Sequence, residues 1–368
     1  MNIGLCGFGV VGRGVYEIVR QRPDMKVKKI LCLEDIQLPD AQTVKDFSEI
    51  LNDPEIDTVV EAMGGLHPSY DFARAALEAG KNFVTSNKAM VCTFYDQLVP
   101  LAAKKGVSLR CTAAVGGGIG WLSELERARR VQTINQVGGI MNGTCNYILD
   151  NMTRLGLGYD EALKQAQKLG YAEANPATDV DGIDTWHKVI LSANVAFGIS
   201  LDKTTVPVSG IRNISAADVD CFKAHGKVCK LISTAKRTED GFSAYVQPTL
   251  VAAGSPEGAV PLNYNLITFI GQTSERMSFY GQGAGRYPTA YNVVQDLVDV
   301  TQGKSFYAPY GSPQAADNQE AHRYYVRGDW EGSIQEDWST GVITAPVPVS
   351  QMHQWVKDHP DAFIAGVD

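Results

Sequence analysis

An acidic segment between Tyr171 and Val189 places four carboxylates ahead of one lysine. The segment reads YAEANPATDVDGIDTWHKV, and these groups are Glu173, Asp179, Asp181, Asp184 and Lys188. Asp184 and Lys188 are four residues apart, so on a helix they share one face. An exposed ion pair of this kind contributes only about 0–1 kcal/mol to stability. The following KVILSANVAF, however, is apolar nearly all round, which indicates a buried helix. Because a sheltered lysine needs partners, the segment favours a functional site over a surface ion pair.

A second pattern that could do chemistry is the glycine-rich CGFGVVG near the N-terminus, which follows a short apolar run. Gly7, Gly9 and Gly12 have GxGxxG spacing, and an apolar helical face continues after them. In such a turn the first glycine permits the tight bend, the second lets a pyrophosphate approach the backbone, and the third allows the helix to pack on the strand. The pattern predicts a dinucleotide site that also includes Phe8, Val10 and Val11.

The residue that would select the dinucleotide is Glu34, which ends the second predicted strand, VKKILCL, and follows Gly12 by 22 residues. An acidic side chain there binds the ribose hydroxyls of NAD and repels the additional phosphate of NADP. Arg13, Lys28 and Lys29 are nearby in the sequence and would attract that phosphate. The pattern therefore favours NAD and leaves NADP open.

Strands and helices alternate through the first hundred residues. The runs IDTVVEAMGG and KNFVTSN are typical of buried strands, and SYDFARAALEAG between them is typical of a helix. Regular alternation predicts a Rossmann-type, doubly wound parallel sheet, in which the carboxyl ends of the strands face the cofactor. The residues predicted at these ends are Gly64, Gly65, Ser86, Asn87 and Lys88. Alternatively, Lys88 is a surface lysine that opens a helix.

The strict alternation ends after Val115, where GGGIG is a permissive hinge. We expect a strand, an Asn-Gly turn and a helix opened by Thr144, followed by the strands GFSAYVQPTLVAA and NLITFIGQ. A helix opened by Pro288 then carries Val293, Val294, Leu297 and Val300 on one face. The predicted fold class is α/β, with an α+β second domain that contains a mostly antiparallel sheet. The expected domains are a dinucleotide-binding domain at 1–115 with 286–305, a substrate and dimerisation domain at 116–285, and a C-terminal segment at 306–368.

The amino-acid composition of the chain argues against several classes of protein. The chain has 368 residues and a formal charge of −8, which argues against a nucleic-acid partner. Seven cysteines without a CxxC pair predict reduced thiols in a cytoplasmic protein and no metal site. No apolar run is long enough to predict a membrane span. We therefore expect a protein that acts on a small molecule.

Six motifs in order resemble the homoserine dehydrogenase family: GFGVVG, EAMGG, TSNKA, NGTCNYIL, GYAEANPATDVDGIDTWHK and GQGAGRYPTA. The resemblance covers about residues 1–305. It implies NAD(P)-dependent interconversion of L-aspartate 4-semialdehyde and L-homoserine, in threonine, methionine and isoleucine biosynthesis, by a homodimer that associates through the antiparallel sheet. By the same resemblance, Lys88 and Lys188 supply catalytic ammonium groups and Glu173 binds the substrate amino group. The pocket also contains Asp179, Asp184, Thr144, Tyr171 and Gly143, and Gly285 lies in the turn back to the dinucleotide domain.

The chemistry of this reaction suits these residue types. Hydride reduction of an aldehyde leaves an alkoxide, so the carbonyl oxygen needs a positioned acid, which is a base in reverse. A lysine can serve either purpose when burial and a second ammonium disfavour its charged form. We expect Lys88 and Lys188 to converge on the substrate oxygen, with Asp184 orienting Lys188. Glu173 and Asp179 then hold the α-ammonium group.

The chain departs from the family at several positions. Thr112 and Gly120 replace a glutamate and a proline near the hinge, so the carbonyls of Val115 and Gly117 lack the negative charge that would help them hold a monovalent cation. Glu34 replaces the arginine of many NADP-using relatives, and residues 306–368 do not match a regulatory ACT domain. The alternatives are an enzyme for another amino-acid semialdehyde, a sugar oxidoreductase of similar N-terminal fold, and a catalytically inactive NAD sensor.

Overall fold

The computed structural model describes residues 1–304 and 313–367. Its strands are β1 Asn2–Cys6, β2 Lys26–Leu31, β3 Gln42–Val44, β4 Thr58–Glu61, β5 Asn82–Thr85, β6 Leu109–Arg110, β7 Ile134–Ile140, β8 Ser200–Leu201, β9 Lys227–Arg237, β10 Phe242–Ala252, β11 Tyr264–Gly271, β12 Glu275–Gln282, β13 Pro313–Gln314, β14 Ala321–Arg327, β15 Ile334–Asp337, β16 Val342–Thr344, β17 Val347–Pro348 and β18 Phe363–Val367. The helices are α1 Val10–Val19, α2 Ser48–Leu51, α3 Ser69–Glu78, α4 Lys88–Thr93, α5 Tyr95–Lys105, α6 Trp121–Ala128, α7 Gly143–Leu155, α8 Tyr159–Lys168, α9 Ala177–Val180, α10 Ile183–Phe197, α11 Ala216–Ala224, α12 Arg286–Thr301 and α13 Val349–Asp358.

A six-stranded parallel sheet organises the first part of the chain. Its order is β3-β2-β1-β4-β5-β6, and each neighbouring pair is parallel. This is the strand order of a Rossmann sheet, and it confirms the predicted doubly wound fold. The predicted apolar face of α12 is confirmed as well, because Val293, Val294 and Leu297 are buried in the same core as Val15 and Val19 of α1.

A second, ten-stranded sheet is mostly antiparallel, as predicted. Its main path is β12-β11-β7-β9-β10-β18-β14-β16-β15, with β17 paired to β14. The longest ladder joins β9 and β10 in antiparallel register from Lys227↔Ala252 to Arg237↔Phe242, whereas β10 and β18 are parallel. The C-terminal motif HRYYVRGDW supplies most of β14. Strands β14 to β18 therefore extend this sheet, whereas β13 pairs with β8 in a separate two-stranded sheet.

The chain folds into two compact units, each of which packs mainly against itself. The first contains Met1–Val131, Asn194–Ser200 and Gln282–Ser312, and the second contains Gln132–Ala193, Leu201–Gly281 and Pro313–Asp368. The assignment of a dinucleotide domain and a substrate domain stays a prediction. Among residues 1–304 and 313–367, no helix combines the length and the apolar character needed to cross a membrane.

Three predicted element ends were wrong. Helix α7 begins at Gly143, not Thr144, because the Asn142 side chain accepts a hydrogen bond from Cys145 N and caps the helix, so Asn-Gly is a cap and not a tight turn. Helix α12 begins at Arg286, and Pro288 is tolerated as its third residue because the first helical N–H groups have no partner within the helix. Strand β2 ends at Leu31, before Glu34, because its neighbour β3 ends opposite, at Val44.

All seven cysteines are free, as expected, and six of them are buried. Burial raises the pKa of the Cys229 thiol to about 12 and also raises the pKa values of Cys6 and Cys145. The nucleophilic thiolate form of these three cysteines is therefore disfavoured at neutral pH.

His353 of α13 makes the stability of the protein depend on pH. Its ring is buried, and its two nitrogens lie 3.1 Å from Ser209 Oγ and 3.0 Å from Gln247 Oε1. Burial lowers the His353 pKa to about 3 from an ordinary value of about 6.5. Between these values the unfolded chain binds a proton that the folded chain does not. The free energy of unfolding is therefore expected to fall as pH drops from 6.5 towards 3, by up to about 1.4 kcal/mol per pH unit from this group.

Denaturant unfolding of the wild type and of His353→Gln at pH 7, 6, 5 and 4 measures this contribution. The variant is expected to show a shallower dependence on pH than the wild type. His67→Gln, which alters an exposed histidine, is the matched control for the loss of a histidine. Parallel pH curves for the wild type and His353→Gln would contradict the assignment.

Candidate active site

The acidic segment at residues 171–189 folds as predicted around Asp184 and Lys188. Both lie in α10, their side chains are buried, and Lys188 Nζ is 2.7 Å from Asp184 Oδ2. Lys188 Nζ also donates to the carbonyl oxygen of Met141 at 2.7 Å. The predicted ion pair on one face of a buried helix is therefore confirmed. Its catalytic role stays a prediction.

Asn142 holds two carboxylates of this segment and was not assigned a role from the sequence. Its Nδ2 donates to Asp179 Oδ1 at 2.7 Å and to Asp184 Oδ2 at 2.8 Å, while its Oδ1 caps α7. Both amide protons and the amide oxygen thus have partners, which fixes the side chain. Asp179, Asp184, Asn142 and Lys188 thus form one cluster that contains two carboxyl groups and one lysine amine. Such a cluster suits a cationic substrate group.

The other predicted substrate residues lie near the start of α7 and the end of α8. Thr144 is buried and its hydroxyl donates to the Tyr171 carbonyl at 2.5 Å, while the rings of Tyr171 and Tyr147 meet edge to face at 5.1 Å. Glu173 is exposed. A Cβ at Gly143 would lie 2.5 Å from the Asn263 carbonyl oxygen, so only glycine fits there. The structure brings Thr144 and Tyr171 together, and it does not join Glu173 to them.

The glycine-rich turn has the geometry that a bound pyrophosphate needs. Gly7 has a φ of +94°, and a Cβ at Gly12 would lie 2.1 Å from the Gly7 carbonyl oxygen. At Gly9, by contrast, a Cβ would meet no atom within 4 Å, so the backbone there is open to a ligand. Gly9 is also the N-cap of α1 and offers no side-chain cap, and the following Val10 is 67% exposed. The open helix N-terminus fits an anionic phosphate.

Glu34 lies beside this turn, although it is not part of β2. Its carboxylate is exposed and 3.4 Å from Arg13 Nη2, and the Arg13 guanidinium lies 4.8 Å from the centre of the Phe8 ring. Lys28 and Lys29 instead pair with Asp53. Of the three basic residues named from the sequence, only Arg13 therefore contacts Glu34.

A second set of cofactor-binding candidates lies at the carboxyl ends of β4 and β5. Gly64 and Gly65 form a turn with positive φ at both residues. Asn87 Nδ2 donates to the Gly65 carbonyl at 2.7 Å, and Asn87 Oδ1 accepts from Met90 N at 3.1 Å, which caps α4. Lys88, the first residue of that helix, is half-buried and follows the half-buried Ser86. The two turns predicted from separate motifs are thus hydrogen-bonded to each other.

The predicted hinge packs against the returning turn of the chain. A Cβ at Gly117 would lie 2.6 Å from the Gly283 carbonyl carbon, and the Gly117 carbonyl accepts a hydrogen bond from Asn292. Gly285, with a φ of +125°, is the N-cap of α12. Val115 is fully buried. The expected lack of cation binding at the carbonyls of Val115 and Gly117 stays a prediction.

The parallel sheet, the open glycine-rich turn and the adjoining acidic residue are those of a dinucleotide-binding protein of the Rossmann type. Comparison with known proteins supports this class. The family model described as "Homoserine dehydrogenase, NAD binding domain" matches residues 7–112, and the model described as "Homoserine dehydrogenase" matches residues 121–298. The chain belongs to the homoserine dehydrogenase family, whose members are NAD(P)-dependent enzymes acting on CH–OH groups.

Curated relatives and solved structures agree with this assignment. The chain is 34% identical to homoserine dehydrogenase of Bacillus subtilis over 84% of its own length and 76% of the relative. It is 34% identical to the Lactococcus lactis enzyme over 93% of its length and 84% of the relative. A homoserine dehydrogenase structure from Thiobacillus denitrificans superposes with a TM-score of 0.89 at 27% identity, covering 100% of this chain and 98% of that one.

Proposed function

We propose that this protein interconverts L-homoserine and L-aspartate 4-semialdehyde by NAD(P)-dependent hydride transfer. The observation that carries the proposal is the buried Asp184–Lys188 pair, which Asn142 joins to Asp179. Homoserine combines an alcohol, which needs an acid–base group, with an α-ammonium group, which needs carboxylates. The cluster offers both kinds of group within a few ångströms.

Each residue has a proposed role. Lys188 and Lys88 exchange the proton of the substrate oxygen, as base during oxidation and as acid during reduction, and Asp184 orients Lys188. Asp179 and Glu173 bind the α-ammonium group, and Gly143, Thr144 and Tyr171 line the pocket. The nicotinamide, when bound, accepts or supplies the hydride. The residues proposed to hold the dinucleotide are Gly7, Phe8, Gly9, Val10, Val11, Gly12, Glu34, Gly64, Gly65, Ser86, Asn87 and Gly285.

A spectrophotometric assay of homoserine oxidation, with NAD and NADP in parallel, tests the proposal. Reduced nicotinamide should accumulate with homoserine and not with serine, whose hydroxyl is one carbon closer to the α-ammonium group. Turnover only with another amino alcohol would favour the alternative of a different semialdehyde. Cofactor binding without any turnover would favour an inactive NAD sensor.

We infer a preference for NAD from the exposed carboxylate of Glu34 beside Arg13. Replacing Glu34 with alanine removes the repulsion of the 2′-phosphate and frees Arg13 to attract it, so kcat/KM with NADP is expected to rise about tenfold relative to that with NAD. Steady-state kinetics with both cofactors measures the ratio. Asp35→Ala, which removes the neighbouring exposed carboxylate, is the control and should leave the ratio unchanged. An unchanged ratio in Glu34→Ala would remove Glu34 from cofactor selection.

We also propose that the protein is a homodimer that associates through the antiparallel sheet. Strand β12 lies at one end of the sheet order, and its Met277 and Tyr280 are 42% and 54% exposed. The Tyr280 ring stacks on the Tyr264 ring, with 5.0 Å between their centres. Light scattering after gel filtration should give twice the mass of the chain, and Tyr280→Glu should shift the equilibrium towards the monomer. A monomeric wild type would end this proposal.

The setting of the reaction is likewise a proposal. We infer that the protein works in the cytoplasm, because seven free thiols suit a reducing compartment. The pathway would be the synthesis of threonine, methionine and isoleucine. Deletion of the gene should then make growth depend on added homoserine or on these amino acids.

A further inference from the structure

Glu61 is a fully buried carboxylate at the carboxyl end of β4. Its Oε1 accepts hydrogen bonds from Met63 N at 2.7 Å and from Gly64 N at 3.0 Å. The Ser69 hydroxyl lies 3.2 Å from the same oxygen and shares its one proton with the Gly64 carbonyl at 3.1 Å. Its Oε2 accepts a hydrogen bond from Thr85 Oγ1 at 2.6 Å. The first oxygen thus fixes the turn that contains Gly64, and the second reaches across to the next strand of the sheet.

Thr85 also contacts the turn at residues 86–88, which follows β5. Thr85 Oγ1 accepts a hydrogen bond from Asn87 N at 2.9 Å, and Asn87 Nδ2 donates to the Gly65 carbonyl at 2.7 Å. Glu61, Thr85, Asn87 and the Gly64–Gly65 turn therefore form a closed ring of hydrogen bonds. Because Asn87 Oδ1 also caps the helix that begins at Lys88, the ring fixes the start of that helix.

The ring explains why this buried position carries a carboxylate. An ionised carboxylate only accepts hydrogen bonds, on both oxygens, and all four partners of Glu61 are neutral N–H or O–H donors. A glutamine of the same shape would turn an N–H₂ group towards one side of the ring. A buried charge is costly unless it is hydrogen-bonded. Three of the residues that donate to Glu61 lie in the connected segments: Met63 and Gly64 in the first turn, and Thr85 at the strand end that precedes the turn at residues 86–88.

We propose that Glu61 is the positioning residue that joins the Gly64–Gly65 turn to the Ser86–Lys88 turn. Cofactor affinity and the placement of Lys88 then both depend on a side chain that is buried behind the two turns. This inference rests on the proposed role of the two turns in cofactor binding. It adds a residue to which the motif comparison gave no role.

Thr85→Val cuts the ring without removing the carboxylate. The substitution is nearly isosteric, and it leaves Glu61 Oε2 and Asn87 N without their hydroxyl partner, so the dissociation constant of NADH or NADPH is expected to rise about ten- to hundredfold. Thr85→Ser keeps the hydroxyl and should bind within about threefold of the wild type. Titration of protein fluorescence with each reduced cofactor measures these constants without any homoserine. The result can therefore be judged even if homoserine is not the substrate.

Thr58→Val is the matched control, because it makes the same change at the opposite end of the same two strands. Thr58 is fully buried, and its Oγ1 lies within hydrogen-bonding distance of Asn82 Nδ2 at 3.4 Å. It should lower stability without weakening cofactor binding. Glu61→Gln is the second variant, and it should also weaken cofactor binding. It provides the test if Thr85→Val does not fold. Wild-type affinity in Thr85→Val or Glu61→Gln, or an equal loss in Thr58→Val, would overturn the proposal.

Discussion

Replacing Lys188 with alanine is expected to lower kcat for homoserine oxidation by about 10²–10⁴-fold, the usual effect of losing a positioned acid–base group. The physical reason is that Lys188 is the buried ammonium group that Asp184 and the Met141 carbonyl hold in place. The KM for the cofactor should change little, since Lys188 is not among the proposed dinucleotide contacts. Steady-state kinetics, with the cofactor and homoserine varied separately, separates the two effects.

Lys188→Ala also removes an ion-pair partner of the buried carboxylate of Asp184, so loss of folding must be distinguished from loss of chemistry. Circular dichroism and a cofactor titration show whether the variant is folded and binds NAD(P). Lys164→Met, a change at an exposed lysine of α8, should retain wild-type kcat. A folded Lys188→Ala variant with kcat close to that of the wild type would remove Lys188 from the mechanism.

Replacing Arg110 with methionine is expected to lower the free energy of unfolding by about 3–5 kcal/mol. Arg110 is fully buried in β6, with Nε 3.0 Å from Asp296 Oδ1 and Nη2 2.9 Å from Asp299 Oδ2 and 3.3 Å from Glu126 Oε2. Burial already raises the Asp296 pKa, against the lowering effect of Arg110. Without the guanidinium, Asp296 would keep its hydrogen bonds from the N–H and the hydroxyl of Thr112 but would lose the positive charge that compensates its own.

Denaturant unfolding measures this loss, and two further variants locate its cause. Adding Asp296→Asn to Arg110→Met removes the uncompensated charge and should recover part of the lost stability. Arg74→Met breaks an exposed ion pair with Glu78 and should change the free energy of unfolding by less than about 0.5 kcal/mol. If Arg110→Met were as stable as Arg74→Met, the buried network would contribute nothing measurable.

Local patterns were sufficient to predict the parallel sheet, the glycine-rich turn and the buried helix with Asp184 and Lys188. Each depends on residues within a few positions of one another, such as the spacing of Gly7, Gly9 and Gly12. The element ends were less predictable, because a neighbour in space decides them. Strand β2 ends where β3 ends, and α7 begins where Asn142 can cap it.

The roles of Asn142 and Glu61 could be recognised only from the tertiary structure. Asn142 contacts carboxylates 37 and 42 positions further along the chain, and Glu61 reaches Thr85 across 24 positions. No periodicity connects such positions, because their distance depends on how whole strands and helices pack.

Patterns within short stretches of the chain are enough to specify the kinds of element, the fold class and the residue types that could do chemistry. These follow from short-range backbone preferences and from the burial of apolar faces. The tertiary structure alone decided which polar side chains meet, since a hydrogen bond requires two groups within about 3 Å. That distance is reached only after the strands and helices have packed.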